Sequence, residues 1–270
     1  MAAITAKMVS ELREKTGAGM MDCKKALTAA DGDMELAIEN LRKSGVAKAE
    51  KKSGRSTNQG KVWTKVAADS AVIIEMLCET DFAAKTPKFA ALIDSLLDGA
   101  AACGEGDISA ALNDAQQAVI TSHIATIGEN MQLRRAQKWV SSNGSTFASY
   151  HHMDGRVSVM VEVEGDADAA FLNDLCLHIA AFSPRFISRE DVPESVIAKE
   201  KEIAAAADPK LAGKPAEMLE KILCGKMNRF YSENCLVEQP WVKDDKTSMA
   251  KLKPNVKVKR FVRWAVGEEL

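Results

Sequence analysis

Apolar residues recur at helical spacing through the first fifty positions of the chain. Ile4, Met8, Val9 and Leu12 lie on one face of a predicted helix that Thr5 can cap, and Thr16-Gly17-Ala18-Gly19 breaks it. Met21, Ala26 and Leu27 supply the apolar face of a second helix. Asp31-Gly32-Asp33 then turns the chain, and Leu36, Ala37, Ile38 and Leu41 predict a short third helix ending near Gly45. Three helices of this size close only a small core, so residues 1–50 are expected to form a module that leans on a neighbour. Residues 48–60 carry lysines and glycines and hardly any large apolar side chain, and 51–60 reads as a linker.

Beyond it the period changes from helical to alternating. Val62-Trp63-Thr64-Lys65-Val66, the turn Ala68-Asp69-Ser70 and the apolar run 72–77 predict a β-hairpin. A helix with Phe89, Leu92, Ile93, Leu96 and Leu97 on one face follows. The same order returns with a strand at 147–152, the turn Met153-Asp154-Gly155-Arg156, a strand at 157–163 and a helix over 169–181. Val72-Ile73-Ile74-Glu75 aligns with Val159-Met160-Val161-Glu162, and Phe89 with Phe171. This predicts a diverged internal repeat, two β-β-α units packed as one core, at 61–145 and 146–270. Residues 108–140 between them read as helical. An apolar stripe through Val196, Ile197, Ile203, Met218, Leu219, Ile222 and Leu223 is broken at Asp208-Pro209 and Gly213-Lys214-Pro215. It predicts an antiparallel helical hairpin at about 190–231, inserted in the second unit and projecting from it. Residues 256–259 and 261–266 predict a closing strand on the second sheet. The fold class is α+β.

Composition narrows the function. Of 270 residues, 46% are hydrophobic and 27% charged, the mix of a folded protein rather than a disordered one. Lys and Arg total 36 against 38 Asp and Glu, a net charge of -2, which excludes nucleic-acid binding through a bulk positive field. No direct nucleic-acid partner is expected. No apolar run approaches the ~20 residues of a membrane span, and the first residues have no signal-peptide core. The six cysteines are scattered, without metal-ligand spacing. No disulfide framework, metal or cofactor is expected, and free thiols fit a cytoplasmic location.

Candidate chemistry is sparse. Gly17-Ala18-Gly19-Met20-Met21-Asp22 lacks the third glycine, the preceding strand and the Lys-Ser/Thr of a phosphate loop, and reads as a helix-helix turn. Core packing and partner contact both remain open for Met20 and Met21, because paired methionines suit adaptable surfaces. Glu79 and Asp81 resemble an acid/base pair, yet nothing converges on them, and Asp81 reads as the N-cap of the next turn. Phe82 reads as the first core residue of the next helix or as an exposed wedge, and the pattern alone favours core. His151 and His152 fall at a hairpin tip and point to opposite faces of a strand, so they read as an exposed turn pair rather than a metal site.

The stretch Thr16-Gly-Ala-Gly-Met-Met-Asp-Cys-Lys-Lys-Ala-Leu27 resembles the N-terminal signature of the elongation factor Ts family. Thr80-Asp81-Phe82, Ile127-Gly-Glu-Asn-Met-Gln-Leu-Arg-Arg135, Gly213-Lys214-Pro215 and Arg263-Trp-Ala-Val-Gly267 are similar to it as well, in the family's order. The resemblance implies an N-terminal three-helix module like a ubiquitin-associated domain, a core of two related subdomains and a projecting helical hairpin. It implies a guanine-nucleotide exchange factor that binds elongation factor Tu, as a heterodimer or higher complex, and promotes GDP release; it implies no enzyme in the covalent sense. Thr80, Asp81, Phe82 and Ala83 would enter the partner near its magnesium site, with Phe82 as the wedge, which reverses the preference for core. Ile127 and His152 match further contact positions, the latter at the hairpin tip, and Met20 and Met21 lie in the N-terminal contact module. Many members have Val where this chain has Ala83, and many continue past the position of Leu270 into another helix that contacts the partner. A non-catalytic docking module is the runner-up, and a hydrolase built on Cys78 and a distant histidine a third reading.

Overall fold

The computed structural model describes residues 3–141, 144–206 and 216–270. Three helices open the chain: α1 (Ala6–Thr16), α2 (Met20–Ala29) and α3 (Met34–Glu50). The Met8 N–H donates to the Thr5 hydroxyl at 3.3 Å, and Gly17, at φ 65°, closes α1 in the left-handed conformation that a glycine adopts without strain. Leu12, Cys23, Leu27 and Ala37 are the fully buried centre of the module. Two expectations change. Cys23, not Met21, joins Ala26 and Leu27 on the buried face of α2. The third helix runs through Gly45 to Glu50, because Gly45 is buried against another helix, where an added Cβ would lie 3.4 Å from that of Ala125. Close packing there outweighs the ~1 kcal/mol that glycine costs inside a helix.

The expected linker is docked. Asn130 Nδ2 donates to the carbonyls of Ser53, at 3.3 Å, and Arg55, at 2.9 Å, and Lys52 Nζ donates to the Gly128 carbonyl. From there the chain forms β1 (Gln59–Val66), β2 (Ser70–Cys78), α4 (Asp81–Ala84), α5 (Pro87–Gly99), β3 (Gly106–Asp107), α6 (Ser109–Ile127) and β4 (Met131–Val140). These strands make a sheet of order β1-β2-β4-β3, with every pairing antiparallel. The segment 131–140 is therefore strand, not helix as its place in 108–140 suggested. Gly128, at φ 91°, stops α6, and the inner edge of β2 needs a partner for its N–H and C=O groups. The second half is β5 (Ser145–His152), β6 (Val157–Glu164), α7 (Ala169–Phe182), α8 (Glu194–Ala206), α9 (Ala216–Asn234), β7 (Pro240–Trp241), β8 (Asp244–Ser248), α10 (Met249–Leu252) and β9 (Lys257–Ala265). Its main sheet has the order β5-β6-β9, so the closing strand falls where expected. The small β7-β8 pair and α10 had no periodic signal.

The two sheets pack face to face between layers of helix, so there is no single core. Val72, Ile74, Met76 and Cys78 of β2 face α5 and α6, with Phe89, Leu92, Leu96, Leu112 and Ile124. Val159, Val161 and Val163 of β6 face α7, with Phe171, Leu175 and Ile179. Between the sheets lie Ala71, Ile73, Trp139, Phe147 and Met160. Burial on both faces explains why β2 is apolar rather than alternating, with Glu75 as its one charged residue.

Two charged contacts in this middle layer repeat one another. Glu75 and Glu162 are buried, and each accepts from an arginine on the next strand: Arg135 Nε at 2.6 Å and Arg260 Nε at 2.5 Å. Each pairing sits at an irregularity in its ladder, after Glu75 and after Glu162. Each guanidinium also lies over a tryptophan of the opposite sheet, Arg135 over Trp264 at 4.2 Å and Arg260 over Trp139 at 4.7 Å. The spacing from arginine to tryptophan is the same in Arg135-Ala-Gln-Lys-Trp139 and Arg260-Phe-Val-Arg-Trp264. The internal repeat thus extends into β4 and β9.

Helices α8 and α9 pack on one another, and Lys226 Nζ donates to the Ala204 carbonyl at 3.0 Å. No described side chain of α8 is buried. The breaks expected at Asp208-Pro209 and Gly213-Lys214-Pro215 lie outside the described residues. Among the described residues no helix is long and apolar enough to cross a membrane. All six cysteines are free; Cys224 is exposed, Cys103 half-buried and the other four buried.

Candidate functional site

The turn after β2 is built on Thr80. Its hydroxyl accepts the Ala83 N–H at 3.2 Å, so Thr80, and not Asp81, is the N-cap of α4. Asp81 stands in the first turn and pairs with Lys85 at 2.7 Å, a contact that holds its carboxyl below the usual carboxylate range. Thr86 caps α5 from the other side, and its hydroxyl donates to the Ala83 carbonyl at 2.8 Å. Ala83 and Ala84 are buried. Phe82, between these fixed points, is 80% exposed.

A second segment locks this turn from behind. Thr80 donates its N–H to Glu129 Oε2 at 3.0 Å and its hydroxyl to Glu129 Oε1 at 2.6 Å. In return the Asn130 N–H donates to Glu79 Oε1 at 2.6 Å. That bond, and after it the charge of Arg55, holds the Glu79 carboxyl below its ordinary value. Ile127, the last residue of α6, is half-buried and leads into this loop. Burial and then the charge of Arg55 lower Lys52 from its ordinary value beside the same loop.

The tip of the β5-β6 hairpin stands across a groove of about 610 Å³ from Phe82. Met153, at the tip, is 70% exposed. The tip is fastened to β1: Lys61 Nζ pairs with Asp154 at 2.8 Å, Arg156 Nη1 donates to Gln59 Oε1 at 2.6 Å, and the Val62 N–H donates to the Gly155 carbonyl at 2.8 Å. Gly155, at φ 82°, has no room for a side chain, since a Cβ would meet the Trp63 ring at 2.9 Å. His152 is exposed, with Nδ1 3.2 Å from the Tyr150 hydroxyl. His151 departs from the expected exposed pair. It stacks on Trp63 at 4.0 Å and accepts the Thr64 N–H on Nε2 at 3.1 Å, and burial, then the charge of Lys61, lower its pKa.

The structure thus brings Thr80, Asp81 and Phe82 to one groove with Met153, Asp154 and Arg156 of the hairpin tip, while His152, beside the tip, does not line it and Ile127 leads into the loop behind the turn. Met20 and Met21 are 60% and 65% exposed on α2, outside this groove. Their module touches the region where Lys88 Nζ, near the start of α5, donates to the Gly17 carbonyl at 3.2 Å. The pattern missed Met153 and Glu129. A methionine at the tip of a predicted hairpin was the available signal for the first; nothing local marks the second.

Cys78 cannot serve as the nucleophile of the hydrolase reading. It is buried, donates to the Thr80 carbonyl at 3.1 Å, and burial followed by the charge of Glu129 pushes its pKa up to about 12. Among the described residues no three His, Cys, Asp or Glu gather as a metal site.

Fold and groove together describe an α+β protein that holds an exposed aromatic ring rigidly at the seam of two like units. A family model described as Elongation factor TS matches residues 79–268. Elongation factor Ts of Tolumonas auensis is 46% identical over 277 residues, spanning 99% of this chain and 92% of that protein. The proteins of the same name from Thioalkalivibrio sulfidiphilus and Teredinibacter turnerae are 42% and 40% identical, each spanning 98% of this chain and 92% of its relative. The chain belongs to the elongation factor Ts family of translation elongation factors.

Proposed function

We propose that this protein is a guanine-nucleotide exchange factor that binds elongation factor Tu with GDP bound and promotes GDP release by disturbing the Mg²⁺ and phosphate site. A GTPase holds GDP through backbone N–H groups around the phosphates and through coordinated Mg²⁺, and loosening either raises the dissociation rate. Phe82 is the wedge. The observation that carries this reading is its ring, left in water on a turn capped at Thr80 and Thr86. Burying an aromatic ring between partner helices supplies binding free energy that can be used against the nucleotide. Thr80 and Ala83 set the turn, and Asp81 adds polar contacts that orient it.

The proposed surface continues through His152 at the hairpin tip, Ile127 behind the turn, and Met20 and Met21 on the N-terminal module. It uses the whole division of the chain: module 1–50, linker 51–60, units 61–145 and 146–270, and the hairpin near 190–231. Linkage makes the effect reciprocal, because the factor weakens nucleotide binding as much as nucleotide weakens the factor's binding. No bond is made or broken, so the protein acts without covalent catalysis, in the cytoplasm, as a heterodimer or higher complex with the GTPase and without direct contact to nucleic acid or membrane. The test is release of a fluorescent GDP analogue from purified elongation factor Tu. Substoichiometric protein accelerates release if the reading holds. Binding with no change in the off-rate supports the docking-module reading instead.

A further inference from the structure

A helix of four residues cannot hold its own shape, because nucleating a first turn is unfavourable in water. Besides the caps at Thr80 and Thr86 and the burial of Ala83 and Ala84, what holds α4 is a loop about fifty positions further along the chain. Glu129 accepts both the N–H and the hydroxyl of Thr80, at 3.0 and 2.6 Å, while Glu79 accepts the N–H of Asn130 at 2.6 Å. Each segment offers a carboxylate to the other's backbone. The hydroxyl bond has a second effect. With its proton committed to Glu129, the Thr80 oxygen keeps a lone pair for the Ala83 N–H, 3.2 Å away, which is the cap of the turn that carries Phe82.

We infer that Glu129 is the positioning residue for Phe82: its carboxylate fixes the turn in the presenting conformation and joins it to Ile127, so that both are offered as one surface. This rests on the exchange reading above. Without Glu129 the Thr80 N–H loses its acceptor, the hydroxyl rotates freely, and the turn must be ordered anew in every encounter with the partner.

The test is a double-mutant cycle in the nucleotide-release assay, with Glu129→Ala, Phe82→Ala and the pair in the full chain. Glu129→Ala lowers the exchange rate at saturating factor about tenfold, with the half-saturating concentration changed less than about threefold, as expected for a displaced group rather than a lost docking site. In the Phe82→Ala background the same substitution has no further effect, a non-additivity that a general loss of stability does not produce. Glu129→Gln keeps one acceptor oxygen and falls between wild type and Ala; it carries the same cycle if the Ala variant does not fold. Wild-type exchange in both Glu129 variants, or an equal loss with and without Phe82, overturns the assignment while leaving the exchange reading intact. Wild-type protein that fails to accelerate release overturns both.

Discussion

At the scale of single residues, Phe82 is the most telling position. Its neighbours Ala83 and Ala84 are buried while its ring is 80% exposed, so nothing in the fold depends on the ring. Phe82→Ala is expected to slow GDP release about thirtyfold, the effect of losing a hot-spot aromatic worth ~2 kcal/mol. It should shift the melting temperature by less than about 2 °C, which thermal denaturation beside the exchange assay will check. Periodicity placed Phe82 in the core, since it begins a helix after a buried strand. Its outward direction goes with the caps at Thr80 and Thr86 and the burial of Ala83 and Ala84, on a turn that the bonds from Thr80 to Glu129 and from Asn130 to Glu79 tie to a distant segment. Thr5 and Asp33, by contrast, were readable as cap or turn residues, because a cap bonds within three residues of itself.

Among the elements, the corresponding strands β4 and β9 of the two sheets show what duplication preserved. Glu75 and Glu162 are both buried and both meet an arginine that also covers a tryptophan of the other sheet. Glu75→Gln leaves the half-buried guanidiniums of Arg134 and Arg135 against a neutral amide, with Arg135 keeping its pair to Glu268 at 2.7 Å. It is expected to destabilise the protein by about 1.5–3 kcal/mol, measured by urea unfolding. Glu75 also accepts the Gly267 N–H at 2.7 Å, so the same change should raise hydrogen exchange at residues 266–268. Helix α3 offers a second test. Gly45→Leu forces a side chain into the contact with Ala125 and should separate the N-terminal module from α6. Limited proteolysis would then cut within 51–58, where wild type resists because Asn130 holds that backbone.

In the molecule as a whole, two histidines lie between packed layers and titrate with folding. His151 links the hairpin tip to β1. His178 is buried between Phe182 and Trp241, accepting the Val242 N–H on Nδ1 at 3.2 Å and lying 3.0 Å from Gln239 Oε1. Burial is the main cause that lowers both from the ordinary 6.5. The unfolded chain therefore takes up these protons first. The stability the two neutral rings contribute is present above pH 6.5 and is lost as pH falls through their depressed values, by at most about 1.4 kcal/mol per pH unit for each ring. Thermal melts between pH 7.5 and 5 should show this fall, and His151→Gln should flatten part of it. The carboxylates held below their ordinary values, such as Glu79 and Asp168, add their losses only at lower pH. The groove between Phe82 and Met153 also exists only at this scale, since it forms where the tip of one unit is fastened to the first strand of the other.

The amino-acid sequence by itself determined the features that act through near neighbours: the faces of α1 and α5, the turns at Gly17 and Asp31, both hairpins, and the repeat that aligns Glu75 with Glu162. Only the tertiary structure decided that α3 continues through Gly45, that 131–140 is a strand, that 51–58 is bound rather than free, and that His151 is stacked away from water. The physical reason is the same in each case. Propensity and periodicity report the cost of a local conformation, whereas space beside a glycine, a partner for an open strand edge and an acceptor for a distant N–H are supplied by residues far away in the chain.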